Sequence, residues 1–342
     1  MENERIMYNL GTPFEYIIKD IIDTLSGNNI KLKYNTKNKD KNRNRIFGSK
    51  FVENNRENTK LVINGEKSGL VEEYDLKKGD NNIEMIINKD LTNLNCMFKD
   101  VISLENIKGL QYLNTEKVSD FSEMFSHCSS LSDIKPLEKW NVSNGINFSF
   151  MFINCSSLKD ISSLQNWNVS KGINFSNMFC GCSSLSDINP LKNWNVSNGN
   201  SFKKLFFGCQ SLEDIKPLEN WNTSNGDNFS FMFYGCKLLT NVKPLENWNT
   251  SKVTDFSGTF KYCSNLQDVK SLEKWDVSNG INFSCMFQYC SSLSDINPLK
   301  DWKVSNGQNF SEMFVGCESL SNINPLNSWN VPKDDFLKMF IK

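Results

Sequence analysis

Cysteine is the residue type with the most chemistry to offer in this chain, and it recurs at a fixed interval. Cys128, Cys155, Cys182, Cys209, Cys236, Cys263, Cys290 and Cys317 stand 27 residues apart, with Cys96, Cys180 and Cys285 off that comb. Thiols so placed could pair as disulfides, hold zinc or act as nucleophiles. Stacked repeats would bring successive cysteines within ~5 Å at Cα, inside disulfide range. No paired C-x-x-C framework accompanies them, which argues against zinc. A Cys–His nucleophile needs an orienting third group and an oxyanion pocket. The single histidine, His127, adjoins Cys128, but its position is Asn, Gly or Tyr in other repeats. The comb therefore reads as a ladder of small buried apolar side chains, and His127 as a surface residue.

A second column is acidic: Asp133, Asp160, Asp187, Asp214, Asp268 and Asp295, with Asn241 and Asn322 filling in. Carboxylates stacked this way repel one another. A calcium ladder would offset the repulsion, but each ion wants about six to eight oxygens, more than one column supplies. Asn also serves at these positions, so each side chain is expected to accept backbone N–H bonds in its own turn. No Gly-rich phosphate loop, catalytic acid pair or nucleophile motif appears. The expectation is no enzyme, no cofactor and no metal.

What positions these residues is an internal repeat. All eight tryptophans, Trp140 to Trp329, share the 27-residue spacing, and a third comb runs from Phe125 to Phe314 with Phe98 one period earlier. One unit from Phe152 reads F-I-N-C-S-S-L-K-D-I-S-S-L-Q-N-W-N-V-S-K-G-I-N-F-S-N-M. In C-x-x-L-x-x-I-x-x-L the apolar residues fall every third position, which suits a chain turning round a core with a short strand near L-x-x-I. The segment N-F-S-x-M-F-x-x-C places Phe148, Met151, Phe152 and Cys155 at i, i+3, i+4 and i+7, the spacing of a helical turn. Asn147, Asn174, Asn228 and Asp255 stand where they could cap it. One repeat cannot bury its own apolar face, whereas stacked repeats do so continuously. The fold class expected is a leucine-rich-repeat-like solenoid of about eight coils, each with one short parallel strand and one short helical turn, in a rod roughly 40 Å long.

The M-F-x-x-C-S-S-L … W-N-V-S-N unit resembles the BspA-like leucine-rich repeats over roughly residues 91 to 340. It departs from them by an extra residue in the I-x-P-L segment (Pro136-Leu137, Pro190-Leu191) and by Gly where Val is usual after S-N. The resemblance implies a repeat solenoid and, loosely, a range that includes secreted adhesins.

Stacks need caps. Residues 332–342, with Pro332 at their start, read as a C-terminal helical cap, and the solenoid is expected over 91–331. Residues 46–90 read as a small β cap: Lys60–Ile63 and Ile83–Ile87 have strand character, and Asn64-Gly65 is a hairpin turn. Residues 1–27 hold a capping box at Thr12-Pro13-Phe14-Glu15 and an amphipathic helix, which docks on the cap or on a partner. Residues 28–45, dense in Lys and Asn, read as a polar linker.

With 38 basic and 39 acidic residues the net charge is −1, so no global field draws nucleic acid, and no apolar run is long enough for membrane insertion. The expected partner is another protein. Two columns vary freely between repeats and carry Phe150, Ile153, Phe207, Phe231 and Tyr234, with Tyr262 and Tyr289 one place along; these are the candidate partner-binding residues. A lysine set on the strand face (Lys135, Lys216, Lys243, Lys270) is the alternative. The function expected is an interaction or structural scaffold, with a BspA-like surface adhesin as the alternative. Sequons recur at Asn141, Asn168, Asn195, Asn222 and Asn249 and at Asn147, Asn174, Asn228, Asn282 and Asn309. Glycans there would block packing, so with no visible signal peptide and free cysteines the expected location is cytoplasmic.

Overall fold

The computed structural model describes residues 29–36, 44–105 and 107–341. It consists of a small N-terminal β unit followed by regular 27-residue repeats stacked on one another, each with one 3-10 turn. The amphipathic segment expected over 12–25 lies outside the described residues.

In the β unit, strands β1 (Asn29–Thr36), β3 (Thr59–Ile63), β4 (Glu66–Gly69) and β6 (Gly79–Ile87) form one antiparallel sheet in the order β1-β6-β3-β4. The short β2 (Asn44–Arg45) pairs with β5 (Glu73–Tyr74). β1 corrects the polar-linker reading of 28–45. Its alternating Ile30, Leu32 and Tyr34 are buried against the core, and the Tyr34 hydroxyl donates to the Ile46 carbonyl at 2.7 Å. Asn64 and Gly65, both at positive φ, make the expected hairpin turn between β3 and β4. A helix absent from the sequence reading, α1 (Ser49–Asn55), joins this unit to the stack: Phe47 packs on Phe51 and on Phe98 of the first repeat, at 5.7 and 5.6 Å between ring centres.

The two halves of each repeat exchange roles relative to expectation. The helical turn lies at I-x-P-L, as in Lys135–Lys139 and Asn189–Leu191, not at N-F-S-x-M-F. Proline near the start fixes φ and lacks the N–H that an opening turn leaves unpaired. The preceding Asp or Asn accepts the N–H two residues on, as Asp133 Oδ1 does from Lys135 at 2.9 Å. The expected strand at L-x-x-I is not formed; a single parallel bridge, Asn241 with Asp268, is all that marks it among the described residues.

Contact between repeats runs instead through N-F-S-x-M-F-x-x-C. Four N–H groups per repeat donate to the next repeat: Phe121 to Asn147, Glu123 to Ser149, Phe125 to Met151 and His127 to Ile153, at 2.8–2.9 Å. The same four bonds recur at each junction up to Tyr289 with Val315. Two donors in each set have positive φ, such as Glu123 (56°) and His127 (62°), and this reversal aims alternate N–H groups the same way. A helix would turn them into its own backbone.

Inside, like stacks on like. Comb phenylalanines lie 5.5 Å apart at Phe125/Phe152 and 5.9 Å at Phe206/Phe233, nearly parallel. Each buried tryptophan donates its indole N–H to a leucine carbonyl of the preceding repeat, as Trp167 does to Leu137 at 3.0 Å. At the C-terminus helix α2 (Lys333–Lys338) follows Pro332, and the carbonyls of Lys338 and Met339 accept from Glu312 and Phe314. The last repeat thus finds partners that would otherwise come from another repeat.

Candidate functional site

The comb cysteines face inward. Each thiol donates to the phenylalanine carbonyl of the preceding repeat, as Cys128 to Phe98 and Cys155 to Phe125 at 3.1 Å. Burial pushes these thiols well above their ordinary pKa, Cys317 to about 12, so they stay protonated. All eleven cysteines are unpaired. His127 points the other way, its Nδ1 2.9 Å from Ser126 Oγ and 3.4 Å from Asp100 Oδ1, so no Cys–His couple forms with Cys128. The acidic column is spent on its own turns, and Lys135, Lys216, Lys243 and Lys270 lie exposed beside it on the 3-10 face rather than on a strand face. Among the described residues no cluster of side chains could hold a metal ion, and no helix is long and apolar enough to cross a membrane.

The ladder segment builds the other candidate. Its two positive-φ columns, and the column just before the second of them, hold the candidate side chains. In one column stand Phe150 (φ 59°), Lys204 and Phe231 (φ 56°); in the other, Tyr262 (61°) and Tyr289 (60°) replace Gly208 and Gly235. An L-residue with a bulky side chain costs about 1–2 kcal/mol there relative to glycine. Four of the expected residues form one continuous aromatic ladder across four repeats: Phe207 on Tyr234 (4.1 Å, parallel), Tyr234 against Tyr262 (5.3 Å, edge to face) and Tyr262 on Tyr289 (4.7 Å). Phe231 flanks it, 6.2 Å from Tyr234. All are half-buried or exposed. Phe150 and Ile153 sit in the same columns two repeats earlier, and among the described residues no ring contact joins Phe150 to the ladder.

Sequence reasoning missed the residues that set these rings. Lys204 Nζ lies 5.4 Å from the Phe207 ring centre and 5.6 Å from that of Phe231, and Lys261 Nζ lies 5.6 Å from Tyr262. Gly258 and Gly316 leave space for the rings of the preceding repeat: a Cβ would come 2.4 Å from Phe231 and 2.3 Å from Tyr289. The signal was available, since these residues occupy the same variable columns.

The repeat and its cap match a family profile described as "Mycoplasma protein of unknown function, DUF285", over residues 71–187, 159–241 and 236–342. The chain belongs to this family. Each match is longer than three of the 27-residue repeats, and successive matches overlap. No curated protein and no solved structure matches the chain. The DUF285 assignment brings no activity with it, so function has to be argued from the ladder face.

Proposed function

We propose that this DUF285 protein is a non-enzymatic interaction scaffold: a solenoid of leucine-rich-repeat, BspA-like type that holds the ladder of Phe207, Tyr234, Tyr262 and Tyr289 toward a protein partner. The observation that carries this reading is the ladder itself, rings in contact across four repeats, with Tyr262 and Tyr289 in a left-handed column that holds glycine in four other repeats. The left-handed backbone serves the hydrogen bonds between repeats, which glycine makes equally well, so a tyrosine at such an outward-facing position fits a binding role. Exposed aromatic side chains dominate binding energy at many interfaces.

The test is affinity capture from the native cell with the wild-type chain and with Phe207→Ser/Tyr234→Ser. The double substitution removes three contacts of half-buried rings, about 0.5–1.5 kcal/mol each, so the melting temperature should fall by no more than about ten degrees, leaving the chain folded, while capture is abolished. Unchanged capture would place the partner elsewhere.

A surface adhesin is the second reading, and one observation favours it. The sequon column Asn141, Asn168, Asn195, Asn222 and Asn249, expected in packed positions, lies exposed, with each Oδ1 accepting an N–H of its own turn. Glycans there would meet no core, and in a bacterial cell the sequons would be silent in any case. The unpaired thiols still support a reducing, cytoplasmic location. Mass spectrometry of native protein decides between the two: eleven alkylations on an otherwise unmodified chain support the scaffold, and paired cysteines support the adhesin.

A further inference from the structure

The chemistry of the ladder says more about its partner, on the premise that this face binds one. The ring faces are already occupied. Phe207 and Tyr234 cover each other, as do Tyr262 and Tyr289, and the two pairs meet edge to face. Tyr289 lies on Gly316 and Phe231 on Gly258, while Lys204 sits over Phe207 and Phe231. What remains for a partner is the rims. An aromatic rim is the positive part of the ring quadrupole.

Formal charge in the same band has the same sign. The four equivalent ladder segments, 201–212, 228–239, 255–266 and 282–293, contain Lys203, Lys204, Lys237 and Lys261 and one carboxylate, Asp255, which accepts the Ser257 N–H of its own turn at 3.0 Å. The equivalent segments at the ends of the stack are different: 120–131 contains Asp120 and Glu123, and 309–320 contains Glu312 and Glu318. The rim-outward band therefore has an excess of three positive charges, with the uncharged segments 147–158 and 174–185 before it and the carboxylates of 309–320 after it, on a chain whose net charge is −1.

We propose that this band takes an acidic segment of a partner protein, laid along the stack with its carboxylates on Lys204, Lys261 and the ring rims, and its apolar side chains between them. Single-stranded nucleic acid would supply the charge but binds by stacking bases on open ring faces, and these faces are closed.

The experiment is fluorescence anisotropy on the full chain with labelled peptides of alternating Glu and Leu. A length of about eight residues spans ~26 Å when extended, more than the ~15 Å covered by four stacked repeats. Lys/Leu and Gln/Leu peptides and an oligothymidylate of matched length are titrated in parallel. The acidic peptide should bind at least about tenfold more tightly than the others, and its affinity should fall about tenfold as salt rises from ~0.05 to ~0.3 M. Lys204→Glu/Lys261→Glu should abolish binding, and the milder Lys204→Gln/Lys261→Gln should weaken it several-fold, with melting unchanged. Acidic-peptide binding that ignores salt and both lysine variants overturns the proposal, as does oligothymidylate binding as tightly. Tighter binding of the basic or neutral peptide, lost in Phe207→Ser/Tyr234→Ser, overturns the acidic partner while leaving the ladder as an interaction surface. Absence of binding by every probe also overturns it, and cell-extract capture then judges the interaction surface separately.

Discussion

Replacing Trp221 tests the packing argument at the centre of the stack. The indole is 4 % exposed, stacks on Trp248 at 6.4 Å between ring centres, and tilts against Phe202 at 6.1 Å. Its N–H donates to the Leu191 carbonyl of the preceding repeat at 3.1 Å. Trp221→Ala loses both the apolar transfer energy and the contacts across a cavity that rigid neighbours cannot close, about 3–5 kcal/mol. Trp221→Phe keeps most of the packing but leaves the Leu191 carbonyl buried and unpaired, about 1–3 kcal/mol. Trp329 in the last repeat is equally buried, donates to Leu299 at 2.8 Å, stacks on Trp302 and tilts against Phe310, but it has no further tryptophan repeat beyond it. Because a terminal repeat frays without unfolding its neighbours, Trp329→Ala should cost roughly half as much. Urea unfolding followed by circular dichroism, with linear extrapolation, gives the comparison. A loss below about 1 kcal/mol for Trp221→Ala would refute the assignment of the column to the core. Equal losses for the Ala and Phe variants would refute the separation into cavity and hydrogen bond.

Three further predictions concern backbone strain and the thiols. Tyr262→Gly should be about 1 kcal/mol more stable than Tyr262→Ala, the reverse of the usual order, because both lose the ring contacts but only glycine relieves the positive φ; equal melting of the two would show no strain. Gly316→Ala should destabilise more than Gly235→Ala, since both have positive φ but only the first drives a Cβ into a tyrosine ring, and calorimetry that ranks them the other way would contradict the packing. The buried comb thiols have folded pKa values raised above those of the unfolded chain, so the unfolded state gives up protons first as pH rises: stability is complete below pH ~9 and falls above it by up to about 1.4 kcal/mol per pH unit per thiol. A melting temperature flat from neutral pH to above pH ~10 would refute that burial, and thiol labelling of the native chain should reach the half-buried Cys285 before any comb cysteine.

The repeat, its length and its core columns were legible in the sequence because stacking forces like residues onto like. The internal geometry was not. In N-F-S-x-M-F-x-x-C the apolar spacing of Phe148, Met151, Phe152 and Cys155 imitates a helix, because a segment that reverses at two left-handed residues per repeat also brings every third or fourth side chain inward. The clue was composition: Gly181, Gly208, Gly235 and Gly316 share a column with Asn154 and His127, and Asn and His tolerate positive φ better than most residues. Strand β1 was missed because Lys31 and Lys33 between Ile30, Leu32 and Tyr34 made an alternating segment look like a charged linker. The variable columns that gave the aromatic candidates also hold Lys204 and Lys261, whose closeness to the rings appears only in the packing.

The unequal backbone hydrogen bonding between repeats has an electrical consequence. At each junction four N–H groups point toward the C-terminus, and the side of Ile146 and Asn147 returns a single shared acceptor, Ser119. Each peptide carries a dipole of about 3.5 D, so the aligned excess sums over the stack to several tens of debye, as it does along a helix. The hand is opposite to that of a helix: carbonyl oxygens face the N-terminal end, making it the negative pole, and N–H groups face the C-terminal end, making it positive. Asp334 and Asp335 of the C-terminal helix lie at the pole that favours anions. The stack is therefore polar along its length, and each added repeat would move the poles further apart and raise the dipole moment in proportion while leaving the end charges the same.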